Sequence, residues 1–235
     1  DEFKGLSYDP DNKYSVPYLW GTLGIVYNTT KVDDVVDSWD ILWNDKYRGQ
    51  IIMLDSPRDT IGITLIKLGY SLNTTNPNEL EEAKQELMRQ KPLVRSYEVD
   101  TYKGQMIAGE AAMALAWSGD AMLLMDENED LEYSIPNEGT NLWFDTMAVP
   151  TTSQNKEEAE LFINFMMRPE IAARNTEYIM YSTPNVGALE YLPDEIVENE
   201  FLYPKGNIKA LGEVFKDLGE FTTEYDRVWT EIKAY

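Results

Sequence analysis

Ala111-Ala-Met-Ala-Leu-Ala-Trp117-Ser-Gly-Asp120-Ala-Met-Leu-Leu-Met125 is the stretch on which the fold turns. Residues 112–117 are an unbroken apolar run that fits a strand. The run breaks at Gly119, and residues 120–126 read as a helix. A strand end passing into a helix start is the repeating unit of α/β folds, and the place where they usually hold ligands. Ile51-Ile-Met-Leu54 followed by Asp55-Ser-Pro-Arg-Asp59 repeats the pattern. Four apolar residues fit a buried strand of the parallel kind. Ser56 then suits the N-cap, Pro57 the first helical position and Asp59 the third, opening a helix through about residue 68.

Outward from these two units the same alternation continues. Residues 1–15 are polar and rich in turn formers, with Asp9-Pro-Asp-Asn12 as the strongest turn signal. Residues 14–27 read as one or two strands, 38–43 as a short helix, and 77–90 as a helix made amphipathic by Leu80, Ala83 and Leu87. A short helix follows at 102–108, then strands at 133–136 and 142–149. The spacing predicts a helix over 156–167 with Ala159, Phe162, Ile163 and Phe165/Met166 on its inner side. Pro169 restarts a helix to about residue 178, and the last helix covers 222–233. Strands alternating with helices indicate an α/β protein with a largely parallel sheet. There is no internal repeat and no low-complexity linker, so a two-lobe chain crosses between lobes on ordered strands.

Composition narrows the function. The 235 residues are 43% hydrophobic, enough for a core in one large domain or two lobes. Lys plus Arg is 20 against 42 Asp plus Glu, a net charge of −22, which argues against nucleic-acid or anionic-membrane surfaces and fits cationic ligands or simple solubility. With neither Cys nor His, thiol nucleophiles, disulfides, imidazole catalysis and ordinary zinc sites are excluded. No stretch approaches the ~20 apolar residues of a spanning helix. The abrupt opening Asp-Glu-Phe-Lys-Gly is read either as a mature N-terminus or as a cut end.

Two short motifs pair a tryptophan with an acid: Trp117-Ser-Gly-Asp120 and Trp143-Phe-Asp145. An indole face attracts an alkylammonium and a carboxylate neutralises it. On a strand, Trp143 and Asp145 at i, i+2 point the same way. Each motif alone is equally an ordinary core tryptophan beside a turn or capping acid. Together they favour a cation pocket. Asp59 has two readings, a helix cap at the third position and a ligand acid. Tyr181, in Tyr-Ser-Thr-Pro-Asn, reads from its surroundings as structural. Asp55, Asp59, Asp120 and Asp145 are available for carboxylate-pair hydrolysis, but nothing in the sequence sets their separation. No phosphate loop, nucleophile elbow, metalloprotease helix or D-x-D-x-D-G calcium loop is present. No cofactor and no metal is called for.

Six motifs stand in order along the chain: Tyr14-Ser-Val-Pro-Tyr-Leu-Trp-Gly21, Leu68-Gly-Tyr-Ser-Leu-Asn-Thr-Thr75, Trp117-Ser-Gly-Asp120, Leu142-Trp-Phe-Asp145, Phe162-Ile-Asn-Phe-Met-Met-Arg-Pro169 and Tyr181-Ser-Thr-Pro-Asn185. In these the chain resembles the bacterial spermidine/putrescine-binding proteins, the extracytoplasmic receptors of polyamine ABC importers. The resemblance implies a fold like the type II periplasmic binding proteins, two α/β lobes with mainly parallel sheets and a ligand cleft between them. It implies Trp143 and Trp117 as aromatic walls, Asp145 and Asp59 as ammonium-holding acids, and Tyr181 as an aromatic on the ligand. Asp120 matches an acid of the putrescine-binding branch. Two departures leave spermidine against putrescine open. Ser56 stands where some spermidine binders have a second acid, and Phe215 stands near a ligand-reaching Gln.

By the same comparison the chain lacks about the first hundred residues of the family, a domain-sized stretch. Residues 1–29 and 146–187 are then the remnant of an incomplete first lobe, and 30–145 with 188–235 the second. Helices of the depleted lobe are expected to expose Phe162, Phe165 and Met166, and a patch of that kind drives dimerisation. The expected function is capture of a polyamine for an ABC importer outside the cytoplasm, in the periplasm or at the cell surface, without catalysis. The expected partners are the ligand and the permease subunits, and no nucleic acid. Two alternatives stay open: a same-fold receptor for a sugar or ferric ion, and a carboxylate-pair hydrolase. A sugar receptor would tolerate Asp145→Asn, and a hydrolase would turn over a glycoside.

Overall fold

The buried strand residues lie where aliphatic and alanine runs put them. The computed structural model describes residues 3, 5, 6, 8–206 and 210–235. In chain order the elements are β1 (Val16–Asn28), β2 (Ile51–Leu54), α1 (Pro57–Lys67), α2 (Pro77–Gln90), β3 (Val94–Glu98), α3 (Tyr102–Ile107), β4 (Met113–Trp117) and α4 (Ser118–Glu127). There follow β5 (Leu131–Ser134), β6 (Thr140–Met147), α5 (Lys156–Met166), α6 (Pro169–Ile179), α7 (Asp194–Val197), β7 (Gly212–Val214) and α8 (Thr222–Ala234). The short helix expected at 38–43 is a 3-10 helix, Trp39–Trp43, capped by the Ser38 hydroxyl accepting from the Asp40 N–H. None of the described helices is long and apolar enough to cross a membrane.

The strands form a seven-stranded sheet in the order β3-β2-β4-β1-β6-β7, with β5 also on β1. β2 runs parallel to both β3 and β4, and β6 parallel to β7. The long β1 is antiparallel to β4 and β5, a reversal not foreseen in the sequence. β3 and β7 were not foreseen either. β3 has no fully buried residue and β7 is three residues long, so neither carries a strong apolar signature.

The chain falls into two compact units, Asp1–Gly21 with Trp143–Gly206, and Thr22–Leu142 with Asn207–Tyr235. Both early boundaries lie inside single strands, β1 and β6, whereas the sequence reading put the divisions after residues 29, 145 and 187. In the larger unit α1, α2 and α8 share a core of Ile61, Leu65, Leu80, Ala83, Leu87, Tyr225, Val228, Trp229 and Ile232. The last helix is further fixed where Asp55 Oδ1 accepts from Trp229 Nε1 at 3.2 Å and from Lys233 Nζ at 2.8 Å.

In the smaller unit Trp20 is buried against Phe3, Phe144 and Tyr203, at ring distances of 5.2, 6.4 and 6.4 Å. Its backbone N–H donates to Ser182 O at 2.9 Å. α5 has no buried residue. The inner face read for this helix is therefore corrected in part. Ala159, Ile163 and Met166 are half-buried, but Leu161, Phe162 and Phe165 are 68%, 59% and 42% exposed. The described residues of this unit supply no layer over that stripe.

Candidate ligand-binding site

In the larger unit β2 and β4 lie side by side in parallel, with Ile51 opposite Met113 and Ile52 opposite Ala114. Their C-terminal ends therefore fall at one edge of the sheet, and each feeds a helix. α1 follows its N-cap Ser56, and α4 begins at Ser118 directly after Trp117, two residues earlier than the break at Gly119 suggested. That shift makes Asp59 and Asp120 equivalent, each the third residue of its helix, where the N-terminal dipole favours a carboxylate. The Ser118 hydroxyl accepts from the Thr22 N–H at 3.2 Å and ties the start of α4 to β1.

The two acids then diverge in their partners. Asp59 is 8% exposed. The Ser56 hydroxyl donates to its Oδ2 at 2.6 Å and accepts from its backbone N–H at 3.5 Å, so the capping role is present. Burial pushes its carboxyl above the ordinary range, against the Ser56 bond and the Arg58 charge, which pull it down. Asp120 is 5% exposed, and its Oδ2 accepts from Tyr102 Oη at 2.9 Å and from Lys103 Nζ at 3.0 Å. Trp117, half-buried at the end of β4, pairs with Leu23.

The smaller unit holds the other group. Trp143 and Asp145 both lie on β6, so the strand alternation places them on one face. Phe144 between them faces the Trp20 and Phe3 rings instead, at 6.4 and 6.1 Å. Tyr181 meets Trp143 edge-to-face, with ring centres 4.9 Å apart and planes at 89°. It follows Met180, whose φ of 63° ends α6 in the left-handed region and turns the chain toward Ser182, the partner of Trp20. Asp145 is exposed, yet partial desolvation still raises its carboxyl. Burial, then the charge of Asp145, raises the Tyr18 phenol.

Of the six residues singled out in the sequence, Asp59, Trp117 and Asp120 thus lie in one unit and Trp143, Asp145 and Tyr181 in the other. Tyr102, Lys103 and Tyr18 were missed. Lys103 and Tyr102 stand 17 and 18 residues from Asp120, and no local spacing announces the contact.

Residues 1–202 match the profile of the bacterial extracellular solute-binding proteins. The chain belongs to that family. This solute-binding protein is 36% identical over 234 residues to the spermidine/putrescine-binding periplasmic protein of Salmonella typhimurium, across 99% of its own length and 67% of the relative's. It is 30% identical over 249 residues to the putrescine-binding periplasmic protein PotF of Escherichia coli K12, across 97% and 66%. Among solved structures it superposes on the spermidine/putrescine ABC transporter substrate-binding protein PotD of Streptococcus pneumoniae. The TM-score there is 0.89 and the identity 42%, over all of this chain and 73% of the other. The chain thus spans about two thirds of the length of these curated relatives.

Proposed function

We propose that the chain captures a polyamine, spermidine or putrescine, outside the cytoplasm and presents it to the permease subunits of an ABC importer, without changing it chemically. The observation that carries this reading is two carboxylates, the buried Asp59 of the larger unit and the exposed, partly desolvated Asp145 of the smaller one. Among the described residues neither is paired with a lysine or arginine, and both have carboxyls raised by desolvation. A carboxylate in that condition is stabilised by an incoming ammonium, and far less by a neutral hydroxyl. Trp117, Trp143 and Tyr181 supply aromatic surface suited to the alkylammonium and its methylenes. Asp120 is paired with Lys103. The partners in this reading are the polyamine, the permease subunits, and a second copy of the chain packed on the exposed face of α5.

Calorimetric titration with putrescine, spermidine and a neutral sugar tests the proposal. Binding of either polyamine with no heat from the sugar supports it. Sugar binding, or turnover of a glycoside, would move the protein to one of the other classes.

A further inference from the structure

Lys103 lies in the first turn of α3, and its ammonium reaches Asp120 Oδ2 at 3.0 Å and Asp100 Oδ1 at 3.4 Å. Tyr102 Oη donates to the same Asp120 oxygen at 2.9 Å. Asp120 is nearly buried, so water offers no substitute for these partners. A lysine side chain ends in a primary ammonium on a four-carbon stem, which is the end group of a linear polyamine. Asp59, at the same helical position after the neighbouring strand, feels the charge of Arg58 but has no lysine ammonium on it among the described residues.

We infer that Lys103 determines specificity: it is a built-in ammonium that occupies Asp120, closes that acid to the ligand, and leaves Asp59 as the acid of this unit open to a ligand ammonium. The inference rests on the polyamine reading of the site. It has a direct consequence for the charge selected. With Lys103 in place, Asp59 alone of these two acids is available to a ligand ammonium; without it Asp120 loses its Lys103 cation as well. A second acid favours a trication over a dication.

The test titrates putrescine and spermidine into the wild-type chain, Lys103→Met and the double variant Lys103→Met/Asp120→Asn. Lys103→Met is expected to raise the spermidine-to-putrescine affinity ratio about tenfold, as one added charge-assisted hydrogen bond would. The double variant, with neither charge, is expected to return the ratio to the wild-type value. Lys103→Gln keeps an N–H donor for the buried carboxylate and replaces Lys103→Met if that variant does not fold. A ratio unmoved by either substitution, or moved equally in the double variant, overturns the assignment of Lys103 alone. Wild type that binds neither polyamine overturns the polyamine reading instead, and the role of Lys103 with it. Nitrogen-15 spectra of the lysine ammonium groups supply a readout independent of ligand. A Lys103 ammonium protected from exchange and released by Asp120→Asn supports the pairing, and its absence overturns it.

Discussion

Asp59 is a carboxylate held where its charge is disfavoured. Its folded form keeps the proton more tightly than the unfolded chain does, because desolvation outweighs the Ser56 bond and the Arg58 charge. For an acid raised in this way, stability is fullest below the ordinary carboxylate pKa and is lost as pH rises through the raised folded value. Asp59→Asn is therefore expected to flatten that decline, seen as denaturation midpoints across a series of mildly acidic pH values. A decline of unchanged size would assign it to other groups. The same substitution is expected to weaken polyamine binding about tenfold, the weight of one charge-assisted hydrogen bond. Polyamine binding should in turn favour the ionised forms of Asp59 and Asp145 and release protons just above the ordinary carboxylate range. Calorimetry in two buffers of different ionisation enthalpy measures that release. Heats independent of buffer there would show that the ligand meets neither raised carboxyl.

At the level of single elements, close approach decides more than apolar pattern. Gly24 on β1 lies under the Tyr133 ring, and an added Cβ would also come within 2.5 Å of Ser134 O. Tyr133 cannot readily withdraw, since it is buried and its hydroxyl lies 3.3 Å from Thr22 Oγ1. Gly24→Ala is thus expected to cost about 1–3 kcal/mol in urea unfolding, the usual toll of overpacking. Elements of this kind also show what was legible in the sequence. The units β2–α1 and β4–α4 were readable because strand, cap and helix start are contiguous, and Asp59 and Trp117 came with them. The start of α4 was displaced because Gly119 looked like a break, whereas the helix accommodates it in its first turn. The antiparallel course of β1 and the hold of Lys103 on Asp120 were not readable. Both depend on which distant segments meet, which period and propensity do not encode. The α5 stripe is apolar as its period indicates, but period alone does not say what packs on it, and Leu161, Phe162 and Phe165 are exposed.

For the molecule as a whole, two surfaces carry the predictions, the exposed face of α5 and the raised acids. Leu161, Phe162 and Phe165 form an exposed apolar stripe on one helix, a feature that marks interaction surfaces. Sedimentation is expected to show self-association at high concentration, reduced in Phe162→Ser/Phe165→Ser. A monodisperse monomer across that range would contradict it. Residues 1–202 align with a family of extracellular solute-binding proteins, and the −22 charge suits a cation without naming one. We propose that the raised carboxyls of Asp59 and Asp145 hold ligand ammonium groups. The most direct measurement is calorimetric titration of putrescine and spermidine into the wild-type chain and into Asp145→Asn. Measurable polyamine binding is expected, weakened about tenfold or more when that one carboxylate is neutralised. Polyamine binding of equal strength in Asp145→Asn, or none in the wild type, would contradict it.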